Sequence, residues 1–339
     1  MTLPSGEQWT IRHGDHEAVI VQVGGGIRCY TVSGRPVLRG YAEDAKADGG
    51  RGQLLMPWPN RVRDGKFTFD GRDEQLALSE PARSNASHGL VRWALWSLAE
   101  QSESSLTVSY SLLPQQGWDW PLELRVTYAL ADDGLTVTPS ATNVGTTVAP
   151  FGFGAHPYVT TGEEHVDDLT LTLPAATVLD VDDHLIPTGT SPVPEALDFR
   201  QPRQVGATQL DHAFTDLASV SIRSSASAPD LLDQRGDGLD QRGDGLDQRG
   251  DGLDQRDVWR ISVSQGGATT TLWADAEAYP FVQVFTGDSL PDASARRTGV
   301  AVEPMTCPAN ALATGESLVR LDPGHTWSAS WGVSPATAS

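Results

Sequence analysis

Leu122-Glu123-Leu124-Arg125-Val126-Thr127-Tyr128-Ala129-Leu130, then Asp132-Asp133-Gly134, then residues 135–142, is the stretch that decides the fold. Apolar and polar side chains alternate in it without a break. That period of two sends one face of a strand into a core and the other towards solvent. The acidic pair with glycine reads as a turn joining two antiparallel strands. The same pattern recurs on both sides. Residues 18–23 run into Gly24-Gly25-Gly26, then residues 27–32 lead to the turn Ser33-Gly34-Arg35-Pro36. Lys66-Phe67-Thr68-Phe69 meets Asp70-Gly71, a two-residue signal for a type I′ hairpin because both central positions need positive φ. Residues 258–263, 269–274, 281–286 and 326–333 continue the alternation. No segment places apolar residues at helical spacing over three turns. The expectation is an all-β chain, a large antiparallel β-sandwich.

The chain has 339 residues, a length that β-sandwiches reach as one unit, so residues 1–339 are read as a single domain. Hydrophobic residues make up 39% and charged ones 20%, which suits a large core and excludes a disordered chain. With 24 basic against 44 acidic side chains, the formal charge is −20. Such a surface repels phosphate backbones and anionic membranes, so neither nucleic acid nor membrane is an expected partner. Cys29 and Cys307 make neither a disulfide framework nor a zinc cluster. No apolar run approaches the ~20 residues that span a bilayer. The first fourteen residues carry no export signal, and a cytoplasmic protein is expected.

One stretch departs from the pattern. Between Asp233 and Arg256 the heptad Asp-Gln-Arg-Gly-Asp-Gly-Leu repeats in tandem. One leucine per seven residues beside two glycines cannot bury a core or sustain a helix. Its period differs from that of the calcium-binding nonapeptides. Residues 224–257 are therefore expected to form a surface loop between two strands, where insertions cost little loop entropy.

Four short words carry chemistry: Asn60-Arg61, His88-Gly89, His156-Pro157-Tyr158 and Val302-Glu303-Pro304. Arg61 follows Pro57-Trp58-Pro59-Asn60, a stiffened backbone beside a flat apolar wall. Its fork suits vicinal hydroxyls or a carboxylate, although a surface ion pair would account for it too. His88 precedes a segment, Leu90-Val91-Arg92-Trp93, read as entering a strand; there a histidine is as often structural as functional. The glycines at 152 and 154 suggest close approach of a ligand or another backbone near His156. Asp211, in Leu210-Asp211-His212-Ala213-Phe214, faces either a pocket or solvent. Alternation puts Gly299, Ala301 and Glu303 on one face and Val300 and Val302 on the other. Pro304 is expected to stop the ladder, placing Glu303 at a sheet edge. Two histidines and two carboxylates could ligate a metal, but no metal-binding spacing occurs. Phosphate-loop, dinucleotide and Gly-x-Ser-x-Gly signatures are missing as well.

Taken in order, Asn60-Arg61, His88-Gly89, His156-Pro157-Tyr158, Asp211 and Glu303 resemble the aldose 1-epimerases, or galactose mutarotases. The likeness runs from about residue 24 to 333. The phrases Pro57-Trp58-Pro59-Asn60-Arg61-Val62-Arg63-Asp64-Gly65 and Val302-Glu303-Pro304-Met305-Thr306-Cys307-Pro308 look more like a bacterial branch with sulfoquinovose mutarotase-like members. The resemblance implies a galactose mutarotase-like supersandwich that interconverts the α and β anomers of a hexose, as a monomer or homodimer, without a cofactor. It implies Glu303 as base and His156 as acid, with Arg61, Asn60, His88 and Asp211 binding the monosaccharide. Nearby carboxylates are expected to keep His156 protonated near neutrality, and Arg61 to keep Glu303 ionised. Trp58, Trp93, Trp96 and Trp118 are candidates for a stacking face, with core burial the stronger reading for most of them. Arg63 and Arg92 leave open a hexose phosphate as substrate. A sugar-binding protein without turnover and a metal-dependent β-enzyme are the readings from other classes.

Overall fold

A computed structural model describes residues 2–162, 165–223 and 255–337. Leu122–Ala131 and Gly134–Asn143 pair antiparallel over their whole length, Leu122 opposite Asn143 and Ala131 opposite Gly134. Leu122, Leu124, Val126, Tyr128 and Leu130 are buried while the intervening residues are partly or fully exposed, as the alternation requires. The Asp70-Gly71 turn joins Lys66–Phe69 to Arg72–Gln75, with φ of 48° and 78° at its two central residues.

Two large antiparallel sheets are stacked. One runs in the order Gln8–His13, His16–Val21, Ile27–Val32, Arg35–Leu38, Tyr158–Val159, Val300–Met305, Phe281–Phe285, Asp211–Leu217, Ala175–Val181 and Pro187–Pro192. The other runs Ser97–Gln101, Ser105–Leu112, Leu122–Ala131, Gly134–Asn143, Trp331–Thr337, Ala268–Asp275, Gln255–Gln265, Thr170–Thr172 and Arg203–Gln204. One continuous apolar core joins them: Ile11, Ile20, Tyr30, Val284 and Val302 from the first sheet meet Val108, Leu124, Val126, Ile261 and Leu272 from the second. Hydrogen bonds also cross the stack, from Tyr128 Oη to the Gly25 carbonyl at 2.6 Å and from Thr270 Oγ1 to the Thr160 carbonyl at 2.6 Å. The all-β sandwich expectation is met. The α-helix among the described residues is a single turn, Ala311–Thr314, so none is long and apolar enough to cross a membrane.

Residues 224–254, which hold all but the end of the heptad repeats, lie outside the described residues; Gln255, Arg256 and Asp257, expected to close the loop, instead belong to a strand. The strands that flank residues 224–254, Ser219–Arg223 and Gln255–Gln265, pair directly, with Arg223 opposite Gln255.

Two strand-level expectations are corrected. Val300–Met305 lies in the middle of its sheet, and its pairing with Phe281–Phe285 continues through Pro304, opposite Val282. The reason lies on the other side of the strand. Val302 N–H donates to the Pro157 carbonyl at 3.1 Å and Thr306 N–H to the Phe153 carbonyl at 2.9 Å. By the period of two, position 304 would donate to the same side, between these two bonds. There the neighbour is broken into Gly154–Ala155 and Tyr158–Val159, with His156-Pro157 in the gap, so a missing N–H costs nothing. The second correction concerns His88. It leaves the strand Asn85–Ser87 rather than entering one, has φ 63°, and residues 92–93 form a turn.

Candidate active site

Glu303 is the starting point. Val300 and Val302 point into the core between the sheets, so Ala301, Glu303 and Met305 point to the outer face of the first sheet. Met305 joins Leu179, Ala213 and Phe281 in a small apolar cluster on that face. Loops cover it so well that Glu303 is only 2% exposed, and its Oε2 has no hydrogen-bond partner. Burial, then the charge of Asp211, pushes its carboxyl well above the usual range; Arg61 and Arg92 pull in the opposite direction.

His156 occupies the gap in the neighbouring strand. Its Nε2 lies 3.2 Å from Glu303 Oε1, and its Nδ1 is buried without a partner. Burial, then the charge of Arg92, holds the imidazole down to about 3. This runs against the expectation of a protonated His156 near neutrality: desolvation and the positive charge of Arg92 both oppose the charged ring. The imidazole and the Glu303 carboxyl touch, so they act from neighbouring positions rather than from opposite sides of a ligand. The glycines at 152 and 154 make room for protein rather than ligand. A Cβ would lie 2.6 Å from Cys307 Sγ at the first and 2.8 Å from Pro59 Cβ at the second.

His88 stands edge-on to His156, with ring centroids 5.8 Å apart and planes at 71°. Burial, then Arg92, holds it well below its ordinary value, and its Nδ1 has no partner. The other candidates form a second branch centred on Gln283, which sits directly opposite Glu303 in the ladder. Gln283 Nε2 donates to Asp211 Oδ1 at 2.8 Å, and its Oε1 accepts from Asn60 Nδ2 at 3.3 Å. Asn60 Oδ1 accepts from Arg61 Nη1 at 3.2 Å. All six candidates therefore converge on one region, Asp211 at its exposed rim and Asn60 and Glu303 at its floor.

Two partners escaped the sequence reading. Glu80 takes Arg61 in a fork, accepting from Nε at 2.7 Å and from Nη2 at 3.2 Å. Burial raises the Glu80 carboxyl, but the hydrogen bonds and charge of Arg61 prevail and leave it below its ordinary value. No local signal marks Glu80. Gln283 had one, a lone amide inside Phe281-Val282-Gln283-Val284-Phe285. Arg63 is tied to Asp182, whereas Arg92, half-buried and facing Glu303, has no side-chain partner among the described residues. Of the four tryptophans considered for a stacking face, Trp58, Trp96 and Trp118 are core and Trp93 is 53% exposed, so of these Trp93 alone remains available. Among the described residues no three His, Cys, Asp or Glu side chains gather as a metal site. Cys29 and Cys307 are free thiols.

The family profile for aldose 1-epimerase matches residues 7–334, nearly the whole chain. The chain belongs to the aldose 1-epimerase family. It is 31% identical over 324 residues to the uncharacterized protein YihR of Escherichia coli K12, covering 94% of this chain and 90% of that protein. Galactose mutarotase of Sus scrofa is 33% identical over 155 residues, 43% of this chain and 44% of its own length. Among solved structures, a galactose mutarotase-like protein from Clostridium acetobutylicum superimposes with a TM-score of 0.76 at 15% identity, covering 97% of this chain and 94% of that one. Galactose 1-epimerase from Lactobacillus acidophilus gives 0.73 at 16%, covering 98% and 95%. At these identities the structural likeness speaks for the aldose 1-epimerase fold.

Proposed function

We propose that the chain is an aldose 1-epimerase that interconverts the α and β anomers of a hexose by opening and reclosing its ring. One observation carries this reading: a buried carboxyl and a buried imidazole 3.2 Å apart, with Glu303 Oε2, His156 Nδ1 and His88 Nδ1 all left without partners. Buried polar atoms without partners are rare unless something else satisfies them. A hemiacetal presents two oxygens on one carbon. Two touching groups can address both, one at the anomeric hydroxyl and one at the ring oxygen.

Glu303 as carboxylate takes the proton of the anomeric hydroxyl while His156 donates one to the ring oxygen. The C1–O5 bond breaks, the aldehyde end rotates about C1–C2, and the reverse steps close the ring on its other face. One proton stays on the pair throughout. The closed sugar meets carboxylate and imidazolium; the open aldehyde meets carboxylic acid and neutral imidazole. Burial raises the Glu303 value and lowers that of His156, favouring the second arrangement in the empty site. Arg61 acts on Glu303 the other way and supports the first, while Arg92 favours the carboxylate and opposes the imidazolium. His88, held neutral, donates or accepts beside His156. Arg61, fixed by Glu80, and Asp211, fixed by Gln283, hold ring hydroxyls in a set geometry. No step calls for a cofactor or metal.

A second reading, a hexose bearing a phosphate or sulfonate, is favoured by Arg92, whose guanidinium makes no ion pair or side-chain hydrogen bond among the described residues and feels the Glu303 charge only at longer range. Anomer exchange by NMR over neutral, phosphorylated and sulfonated hexoses tests both readings. Catalysed exchange of any one establishes the activity, and the preferred substituent chooses between them. Saturable binding with exchange at the uncatalysed rate would make the protein a carbohydrate binder instead.

A further inference from the structure

His156 stands outside the ladder on both of its neighbours, and a tight turn takes over its backbone. Gly52 N–H donates to the His156 carbonyl at 2.9 Å, and His156 N–H donates to the Gln53 carbonyl at 3.0 Å. The turn closes on itself through Gln53 N–H to the Gly50 carbonyl at 2.9 Å and Arg51 N–H to the Asp48 carbonyl at 2.9 Å. Gly50, at φ +78°, lies directly on the imidazole: a Cβ there would sit 2.4 Å from His156 Cδ2 and 2.8 Å from Nε2. Only glycine combines that φ with that approach.

The same turn reaches His156 through Tyr158. The phenol ring stacks on the imidazole, centroids 5.2 Å apart and planes at 17°, and its Oη donates to the Gly49 carbonyl at 2.8 Å. The Arg51 guanidinium sits over the Tyr158 ring at 5.0 Å from its centroid. Arg51 is 5% exposed and is anchored by the Gly40 carbonyl at 3.1 Å and by Asp48 at 3.4 Å. The order Arg51, Tyr158, His156, His88 is thus a continuous packed column ending at the reacting groups.

We propose that residues 49–53 are the positioning element of the imidazole, with Gly50, Arg51 and Tyr158 as positioning residues that fix the place and protonation of His156. The inference rests on His156 acting as the acid in anomer exchange. The groups facing His156 are Glu303, His88, Arg92, Tyr158 and, behind Tyr158, Arg51; Arg61 and Asp211 act one step further out, on His88 and Glu303. Arg51 adds positive charge behind the ring and so opposes its protonation, in the same sense as burial and Arg92.

The test uses the full chain with Gly50→Ala, Arg51→Met and Arg51→Lys. Each is measured by pH-dependent anomer exchange and by NMR titration of the His156 ring. Gly50→Ala is expected to lower kcat by about 10²-fold with KM largely kept, the cost of displacing a reacting group by an ångström or so. In Arg51→Met, His156 should titrate at higher pH than in the wild type. The acid limb of the pH–rate profile should move up with it, because a second proton on the pair silences Glu303; Arg51→Lys should restore both. Wild-type kcat in Gly50→Ala, or an unmoved His156 titration in Arg51→Met, overturns the proposal. Should Gly50→Ala not fold, the Arg51 titration decides alone. If the wild type exchanges no sugar, the proposed function fails, while the ring titration still reports whether the turn governs His156.

Discussion

Replacing Glu303 by glutamine removes the proposed base and nothing else of similar size. The side chain keeps its shape, and an amide oxygen can still face His156 Nε2 across the 3.2 Å contact. No other carboxylate can substitute: Asp211 is held by Gln283 at 2.8 Å on the exposed rim, and Glu80 is locked in the Arg61 fork. A positioned base contributes about 10²–10⁴-fold. With no neighbour able to take over, the loss of kcat is expected at the upper end, about 10⁴-fold, or roughly 5 kcal/mol of barrier. Binding of the preferred hexose, measured by calorimetry, should be largely retained, since the hydroxyl-holding groups are untouched. Stability supplies an independent check. The folded pKa of Glu303 lies above the unfolded one, so the native state holds a proton that the unfolded chain has lost. That contribution is complete below the ordinary value of 4.5 and disappears as pH rises through the folded value. Glutamine has no such term, so the variant's Tm should gain on the wild type as pH rises across that window. Anomer exchange by NMR at saturating sugar gives the rate. A loss of less than tenfold, or a Tm difference that is flat with pH, would refute the assignment of Glu303 as a buried base.

His156→Asn should abolish exchange and alter the pH dependence of stability in the opposite sense. With a folded value of about 3 against 6.5, the wild type loses this contribution as pH falls between them, and the variant does not. Thermal melts from pH 3 to 7 check it. Arg92→Met changes the charge felt by Glu303 and His156 whatever the sugar, and is expected to cost a phosphorylated or sulfonated hexose about 10- to 100-fold more in kcat/KM than a neutral one, the worth of a charge-assisted hydrogen bond. Equal losses for both would remove the anionic-substrate reading. Replacing residues 224–254 by Asn-Gly should leave folding and exchange unchanged, because Arg223 and Gln255 already pair across the junction. Loss of the circular-dichroism signature of the sheets would show that the segment supports them.

The sandwich was legible because one face of each strand is buried and the other is wet, a requirement that residues 122–142 satisfy in plain sequence. The candidate site was legible as six residues in four words and an aspartate, since arginine, imidazole and carboxylate beside stiff or turning backbone are unusual company. How those residues meet was not. Gln283, which links Asn60 to Asp211, and Glu80, which fixes Arg61, come from strands and turns remote in sequence from the groups they hold. Pro304 in isolation predicts a ladder's end; only the break at His156-Pro157 in the adjoining strand explains why it sits mid-sheet.

Sequence by itself determined the alternation, the turns and the kinds of chemical group available, because these follow from each residue and its near neighbours. The tertiary structure alone decided the contact of Glu303 with His156, the closing of loops over them, and where the shared proton rests. Proton affinity depends on solvent exclusion and on charges such as Arg92 and Arg51, which folding brings close from distant positions in the chain.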